Sequence, residues 1–286
     1  MIPTIAVLAP GAMGSAVAAR LAEHGAKIVT SLEGRSEATR KRASAAGMVA
    51  ASDAEIANAD IILSIVPPAE ALALAQHLAT LITRNDNKPV FVDCNAVNVE
   101  TVRKVADVVL SSGARFVDAA IIGLPPKPGG KSPALYLSGE DASDLAALRD
   151  LGLDVRVISG PVGAASALKM AYAGINKGLT GVGAAMVLAA TRAGAADALR
   201  DELALSAPAV QARLANALPD MLPKAYRWVA EMREIAGFLG DDHPAALIYE
   251  GFARLFEHIA ADAEGAGTEG AQLVAFAESC KANKPA

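Results

Sequence analysis

Seven short apolar runs punctuate the first 160 residues, at about 4–8, 27–31, 60–66, 89–93, 115–121, 134–138 and 154–158, and none follows them. Segments with helical spacing lie between several of them, at about 12–24, 36–46, 69–82, 99–111 and 141–149. Strand-length runs separated by helical segments imply βαβ units and a mostly parallel sheet. The run "ADIILSIV" is almost continuously apolar, as a strand buried on both faces must be, and "PP" at 67–68 stops it. From about residue 160 the pattern changes. "GPVGAASALKMAYAGINKGLTGVGAAMVLAATRAG" reads as one long helix, and the remainder is helical, broken at "SAP", "LP" and "GDDHP". The expected architecture is an α/β Rossmann domain over 1–160, followed by an interdomain helix and an all-α domain over 161–286.

Composition narrows the partners. The chain is 53% hydrophobic but only 4% aromatic, so its core must be aliphatic and alanine-rich. A net charge of −5 argues against nucleic acid and anionic membrane, both of which need a basic face. The apolar stretch 178–191 is bounded by Lys177 and Arg192 and is too short to span a bilayer, so a buried helix is expected there. Cys94 and Cys280 have neither metal-type spacing nor a disulfide framework, which points to a reducing cytoplasm. The four histidines are scattered, and no metal site is expected. The N-terminus lacks the basic segment and cleavage site of a signal peptide.

The first strand meets its helix at "APGAMG". A strand turning sharply into a helix leaves free N–H groups at the helix start, where the dipole attracts phosphate. The usual dinucleotide pattern is G-x-G-x-x-G; here its positions are Ala9, Gly11 and Gly14, with Ala12 and Met13 between the glycines. At the end of the second strand, an acid would bind the ribose of NAD and a basic residue the 2′-phosphate of NADP. Arg35 and Ser36 favour NADP, and Glu33 is the counter-signal; Ser36 could also cap the next helix.

Other residues carry two readings each. Lys169 stands in the apolar run "ASALKMAYAG", where it either has a catalytic role or snorkels to the domain surface. Asp93 is a candidate partner for it or a strand-end cap, and Asn95 either orients a substrate or closes a turn. Cys94 reads as a small buried residue. Lys127 and Lys131 sit in a Pro/Gly-rich loop, solvated or attracting an anion. Trp228, Met232 and Ile235 follow helical spacing, as core or as a pocket wall; His243 precedes a proline at a turn.

Taken together, these motifs resemble the β-hydroxyacid dehydrogenase superfamily, which includes 6-phosphogluconate dehydrogenase-like and imine-reductase-like enzymes, in a branch with a distinct C-terminal helical domain. "GAMG" at 11–14 matches its glycine turn, Arg35 and Ser36 its NADP-associated pair, and Val66 and Pro67 its contact to the nicotinamide ribose. "DCNAV" is similar to the family's Asp-x-Ser-Thr element, with Asn95 and Ala96 in the Ser and Thr places. The Ser-Gly-Gly that cradles a substrate carboxylate is replaced by Ile122, Gly123 and Leu124. Lys169 matches the catalytic lysine, while the asparagine one turn later is Ala173.

The resemblance implies an NADP-dependent oxidoreductase acting on a small hydroxy acid or alcohol, or on the corresponding carbonyl, with Lys169 as general acid/base. It also implies a homodimer, and a pocket that draws on the helical domain through Trp228 and Met232. An imine or ketone reductase is the alternative within the superfamily, and a non-catalytic NADP-binding sensor the alternative outside it.

Overall fold

The computed structural model describes residues 3–127, 130–240 and 242–282. By internal contacts the chain divides into two compact units, residues 1–170 and 171–286. The first unit is built on one eight-stranded sheet. Its strands are β1 (Thr4–Leu8), β2 (Lys27–Thr30), β3 (Val49–Ala50), β4 (Ile61–Ser64), β5 (Val90–Asp93), β6 (Arg115–Ile122), β7 (Ala134–Ser138) and β8 (Asp154–Val157). The order is β3-β2-β1-β4-β5-β6-β7-β8. Every pairing is parallel except β6 with β7. The chain starts in the middle and winds outward both ways, so the order reverses between β1 and β4. A crevice opens at that switch point, at the carboxyl ends of the strands.

Successive strand residues face opposite sides of the sheet. Ile5, Val7, Leu63, Val92 and Val117 enter one buried layer, with Val17 and Leu21 of α1 (Ala12–Glu23). Ala6, Leu8, Ile62, Phe91 and Phe116 enter the other. That second layer is covered by α3 (Asp53–Ala57), α4 (Ala71–Ile82) and α5 (Val99–Ser111), through Ile56, Leu78 and Val102. Helix α2 (Glu37–Ala45) reaches the first layer through Ala43.

Two short elements escape the sequence pattern. Strand β3 has only two residues, both exposed, and α3 has five. The latter is held by a capping box in which Ser52 and Glu55 satisfy each other's backbone N–H groups. The segment expected as a helix at 141–149 is a 3-10 run, Glu140–Arg149.

The long helix α6 (Ala164–Arg192) has 29 residues, and the division between units falls inside it. It contains the apolar stretch 178–191. By length and composition alone it could cross a membrane, and 44% of its most apolar window is buried within the protein. The second unit continues with α7 (Ala196–Ser206), α8 (Pro208–Met221), α9 (Ala225–Leu239), α10 (Ala246–Glu264) and α11 (Thr268–Ala282). The glycines of α6 make room inside this unit. A Cβ at Gly174 would lie 3.0 Å from the Tyr249 hydroxyl, one at Gly181 2.6 Å from the Phe252 ring, and one at Gly183 would collide with Leu214.

Candidate functional site

The glycine turn sits where the first strand ends. Gly11 is the N-cap of α1, with no side-chain cap and no acidic residue in the first turn. The helix start therefore offers backbone N–H groups and the positive end of its dipole. The two glycines answer different demands. A Cβ at Gly14 would collide with the carbonyl oxygen of Ala9, so close strand–helix packing requires glycine there. A Cβ at Gly11 would meet no protein atom within 4 Å. Nothing inside the protein demands a glycine at 11, but a diphosphate laid against the helix start does. Of the two residues between them, Ala12 is exposed and Met13 packs partly on the core.

Beside the turn, a cleft of about 300 Å³ is lined by Ser31 and Arg35 from the end of β2, Val66 from the end of β4, and Asp53, Glu70 and His77. Arg35 is exposed and lines this cleft directly. Ser36 caps α2, accepting from the Thr39 N–H at 3.3 Å. Arg42 donates to the carbonyl of Pro10 at 3.1 Å and so ties α2 to the glycine turn. His77 and Asp53, which also line the cleft, form an exposed pair at 2.7 Å.

The ends of β4 and β5 are latched together. The Asn95 amide oxygen accepts from the Val66 N–H at 2.7 Å, and its amide nitrogen donates to Ser64 Oγ at 2.9 Å. Asn95 is 2% exposed, and both ends of its carboxamide are engaged at the end of β4. Pro67 beside it is exposed and Ala96 half-buried. At the end of β6, Ile122 is half-buried and Gly123 exposed, with a φ of 138°.

A polar cluster lies under the start of α6, in the first unit. Asp118 of β6 is fully buried. Its Oδ2 accepts from Ser138 Oγ at 2.9 Å and from the N–H groups of Gly163, Ala165 and Ser166 at 2.9, 3.0 and 3.1 Å. Its Oδ1 accepts from Ser166 Oγ at 2.6 Å. Asp118 thus serves as the N-cap of α6 from a distant strand, a role that pattern reading missed. The available signal was a lone acid inside the buried run "RFVDAAII".

Asp93 is the register partner of Asp118 on β5. Its Oδ1 accepts from the Asn95 N–H at 2.8 Å, and its buried Oδ2 has no hydrogen-bond partner among the described residues. Burial pushes its carboxyl up to about 7, with Asp118 adding to the rise and the Asn95 N–H and Lys169 opposing it.

Lys169 follows Ser166 by three residues, on the same face of α6. Burial pushes its ammonium below the ordinary lysine range, and Cys94, Asp93 and Asp118 oppose that shift. The Cys94 thiol is itself pushed far up by burial and stays protonated, so the two carboxylates are the groups that hold the proton on Lys169. The structure therefore brings together Lys169, Asp93 and Asp118.

Trp228 and Met232 lie in the second unit. Met232 is fully buried and packs the core of that unit. Trp228 is half-buried, edge-on to Phe256 at 5.1 Å and under the Lys177 ammonium at 5.3 Å.

This combination defines a dinucleotide-binding α/β unit joined in sequence to a helical unit. Residues 4–141 match the NAD binding domain of 6-phosphogluconate dehydrogenase, and residues 190–259 match a domain of unknown function, DUF1932. The chain thus carries an NAD-binding domain of the 6-phosphogluconate dehydrogenase-like family. It is 31% identical over 179 residues to an uncharacterized 28.5 kDa protein of Methanothermus fervidus, covering 62% of this chain and 67% of that protein. It is similar to the structure of MTH1747, a protein of unknown function described as resembling 3-hydroxyacid dehydrogenases. That match has a TM-score of 0.74 and 26% identity over 96% of this chain and 99% of the other. The 3-hydroxyisobutyrate dehydrogenase of Mycobacterium tuberculosis shares the fold at a TM-score of 0.68, with 19% identity over 98% and 99% of the two chains. An imine reductase of Myxococcus stipitatus, solved with NADP+, shares it at 0.55, with 19% identity over 96% and 99%.

Proposed function

We propose that this protein is an NADP-preferring oxidoreductase acting on a small hydroxy acid or alcohol, or on the corresponding carbonyl, with Lys169 as the proton-transfer group. The observation that carries the reading is Lys169 itself. It is a lysine whose ammonium is desolvated yet faced by two buried carboxylates, at the carboxyl ends of strands adjoining the switch-point crevice. A lysine whose hold on its proton is loosened by burial is suited to give and accept one.

The dinucleotide, when bound, would accept the hydride in oxidation and supply it in reduction. The chain supplies the rest. The start of α1 and Gly11 hold the diphosphate, Arg35 takes the 2′-phosphate, and Val66 and Pro67 border the nicotinamide end. The Asn95 latch fixes the Val66 backbone, and Lys169 holds the substrate oxygen and moves its proton.

A second reading, reduction of an imine or ketone, is favoured by one feature of β6. Ile122, Gly123 and Leu124 provide no hydroxyl for a substrate carboxylate. A cytoplasmic location and a homodimer complete the proposal.

The test is cofactor oxidation or reduction against a panel of hydroxy acids, keto acids, ketones and cyclic imines, comparing NADPH with NADH. Arg35→Ala should weaken NADPH binding about ten- to a hundredfold, the loss of a charged hydrogen bond, and leave NADH nearly unchanged. Tighter binding of NADH by the wild type would shift recognition to Glu33. Binding of NADPH with no turnover of any panel member would favour a sensor.

A further inference from the structure

The cleft beside the glycine turn draws its polar lining from two parts of the chain. The end of β2 brings Ser31 and Arg35. Helix α3, the turn Pro68–Glu70 and helix α4 bring Asp53, Glu70 and His77. Leu8, Ile56 and Leu74 add apolar wall. Arg35 can only donate hydrogen bonds, and the carboxylates of Asp53 and Glu70 can only accept them. The character of His77 follows from its partner. Its Nε2 lies 2.7 Å from Asp53 Oδ2. A carboxylate has no hydrogen to give, so Nε2 carries one and donates it, and Nδ1 of the uncharged ring is left as an acceptor. The His77 ring has no other hydrogen-bond partner among the described residues. Asp53 therefore fixes the tautomer, and three acceptors gather on one cleft whose cation is Arg35.

We propose that this cleft takes the purine base of the dinucleotide and that His77 determines which base is accepted, its Nδ1 receiving a hydrogen bond from a 6-amino group while Asp53 holds the ring in the tautomer that can do so. The proposal rests on the reading of the α1 start and Arg35 as the phosphate contacts and adds the other half of that recognition. The lining offers a cation for a phosphate and acceptors for an amino group, the two polar features that a 2′-phosphorylated adenosine presents. A 6-oxopurine would bring an oxygen to the same edge. There it would face the Nδ1 lone pair and the carboxylates of Asp53 and Glu70, with no donor to satisfy it. A site built to hydrogen-bond one substituent rejects the analogue that lacks it, because its own polar group is then left unpaired.

Binding alone tests this, without any turnover. Calorimetric titration of the full-length protein compares NADPH and NADH, each with its hypoxanthine counterpart, in which an oxygen replaces the 6-amino group. The titrations are run at about pH 8, above the range in which histidine ordinarily changes charge. The wild type should bind the amino forms about tenfold more tightly, the scale of one hydrogen bond exchanged for two facing acceptors. His77→Phe keeps a flat ring and removes the acceptor, so the ratio should fall to about twofold or less. Asp53→Ala frees the ring to adopt either tautomer, and the ratio should fall partway. A His77–Asp53 pair that only ties α3 to α4 would behave differently: both variants would weaken amino and oxo forms by the same factor and leave the ratio unchanged. That result overturns the proposal, as does a wild type that binds the two bases equally. Binding without preference for the base sinks the role of His77 alone. If none of the four dinucleotides binds, the dinucleotide reading falls and this proposal falls with it.

Discussion

Ser166 donates its hydroxyl to Asp118 Oδ1 at 2.6 Å, and its backbone N–H to Oδ2 of the same carboxylate at 3.1 Å. A residue 48 positions earlier in the chain thereby caps the longest helix of the protein. Two consequences follow. The orphan donors of the first turn are satisfied without water, and the rotation of α6 about its axis is fixed relative to β6. That rotation decides which residues of its second turn face the strand ends.

Asp118→Asn should therefore be costly although it is nearly isosteric. It puts an amide donor where donors already converge and leaves buried N–H groups unpaired. The expected loss is about 2–4 kcal/mol, seen as a Tm lowered by roughly 5–15 °C. Amide exchange at Ala165 and Ser166 should accelerate first. An unchanged Tm would mean that the helix start is held by packing alone.

The two glycines of the turn should separate fold from cofactor. Gly14→Ala collides with the Ala9 carbonyl and should destabilise the first unit by about 1–3 kcal/mol. Gly11→Ala has space and an ordinary φ of −70°, so its melting curve should match the wild type. It should nevertheless weaken dinucleotide binding by about tenfold or more, because the new methyl group occupies the phosphate approach. Calorimetric titration with NADPH beside thermal melts distinguishes the two variants. Equal dinucleotide affinity in Gly11→Ala would remove the diphosphate from this helix start.

Much of this was legible in the sequence because it rests on local rules. Strand alternation, the glycine turn and the Ser36 cap are written in neighbouring residues. The parts that were not legible are long-range. Asp118 looks like a strand residue until β7 and α6 are folded around it. Asn95 carries two readings in the sequence, and its bonds to Val66 and Ser64 at the β4 end show only in the fold. The α6 glycines pack against Tyr249, Phe252 and Leu214, residues too distant in the chain for any local pattern to pair with them. Residues 49–57 were missed because a two-residue strand and a five-residue helix are too short to show a period.

Another face of α6 carries the assembly prediction. Tyr172, Ile175, Leu179, Val182 and Met186 are each about half exposed or more, at alternating spacings of three and four residues. That is the seam of a helix that packs on another helix, and so long an apolar stripe is a liability in a monomer. Light scattering at micromolar concentration should show a dimer. Ile175→Glu combined with Leu179→Glu should give a folded monomer. A monomeric wild type would leave the stripe without a partner copy.

Asp93 makes a pH prediction whose sign is set by burial. Its carboxyl titrates near 7 in the folded protein and near 3.9 in the unfolded chain. The folded state therefore holds the proton more tightly. The contribution of Asp93 to stability is fully present below about pH 4 and is lost as the pH rises to about 7. Asp93→Asn cannot ionise, so relative to the wild type it should gain stability across that window and then level off. The gain should approach about 4 kcal/mol at most. Denaturant unfolding at a series of pH values measures it, and a difference that stays constant from pH 4 to 8 would sink the assignment.

The last prediction concerns Lys169. Lys169→Met keeps the unbranched apolar stem and removes the ammonium. Dinucleotide affinity should change little, because the proposed phosphate sites are the α1 start and Arg35, while the lysine belongs to the β5–β6 end of the crevice. Turnover should fall by about a hundredfold or more, the ordinary scale of a lost general acid/base. The fall should appear in kcat rather than in the dinucleotide Kd. Solvent isotope effects give an independent check: the wild type should show one on kcat, and the residual activity of the variant should show a different one, since water must then carry the proton. If the variant turns over near the wild-type rate with the true substrate, Lys169 serves only to balance the buried charges of Asp93 and Asp118. In that case a loss of stability above neutral pH, where those carboxylates lose their cation, should be the visible effect of the substitution.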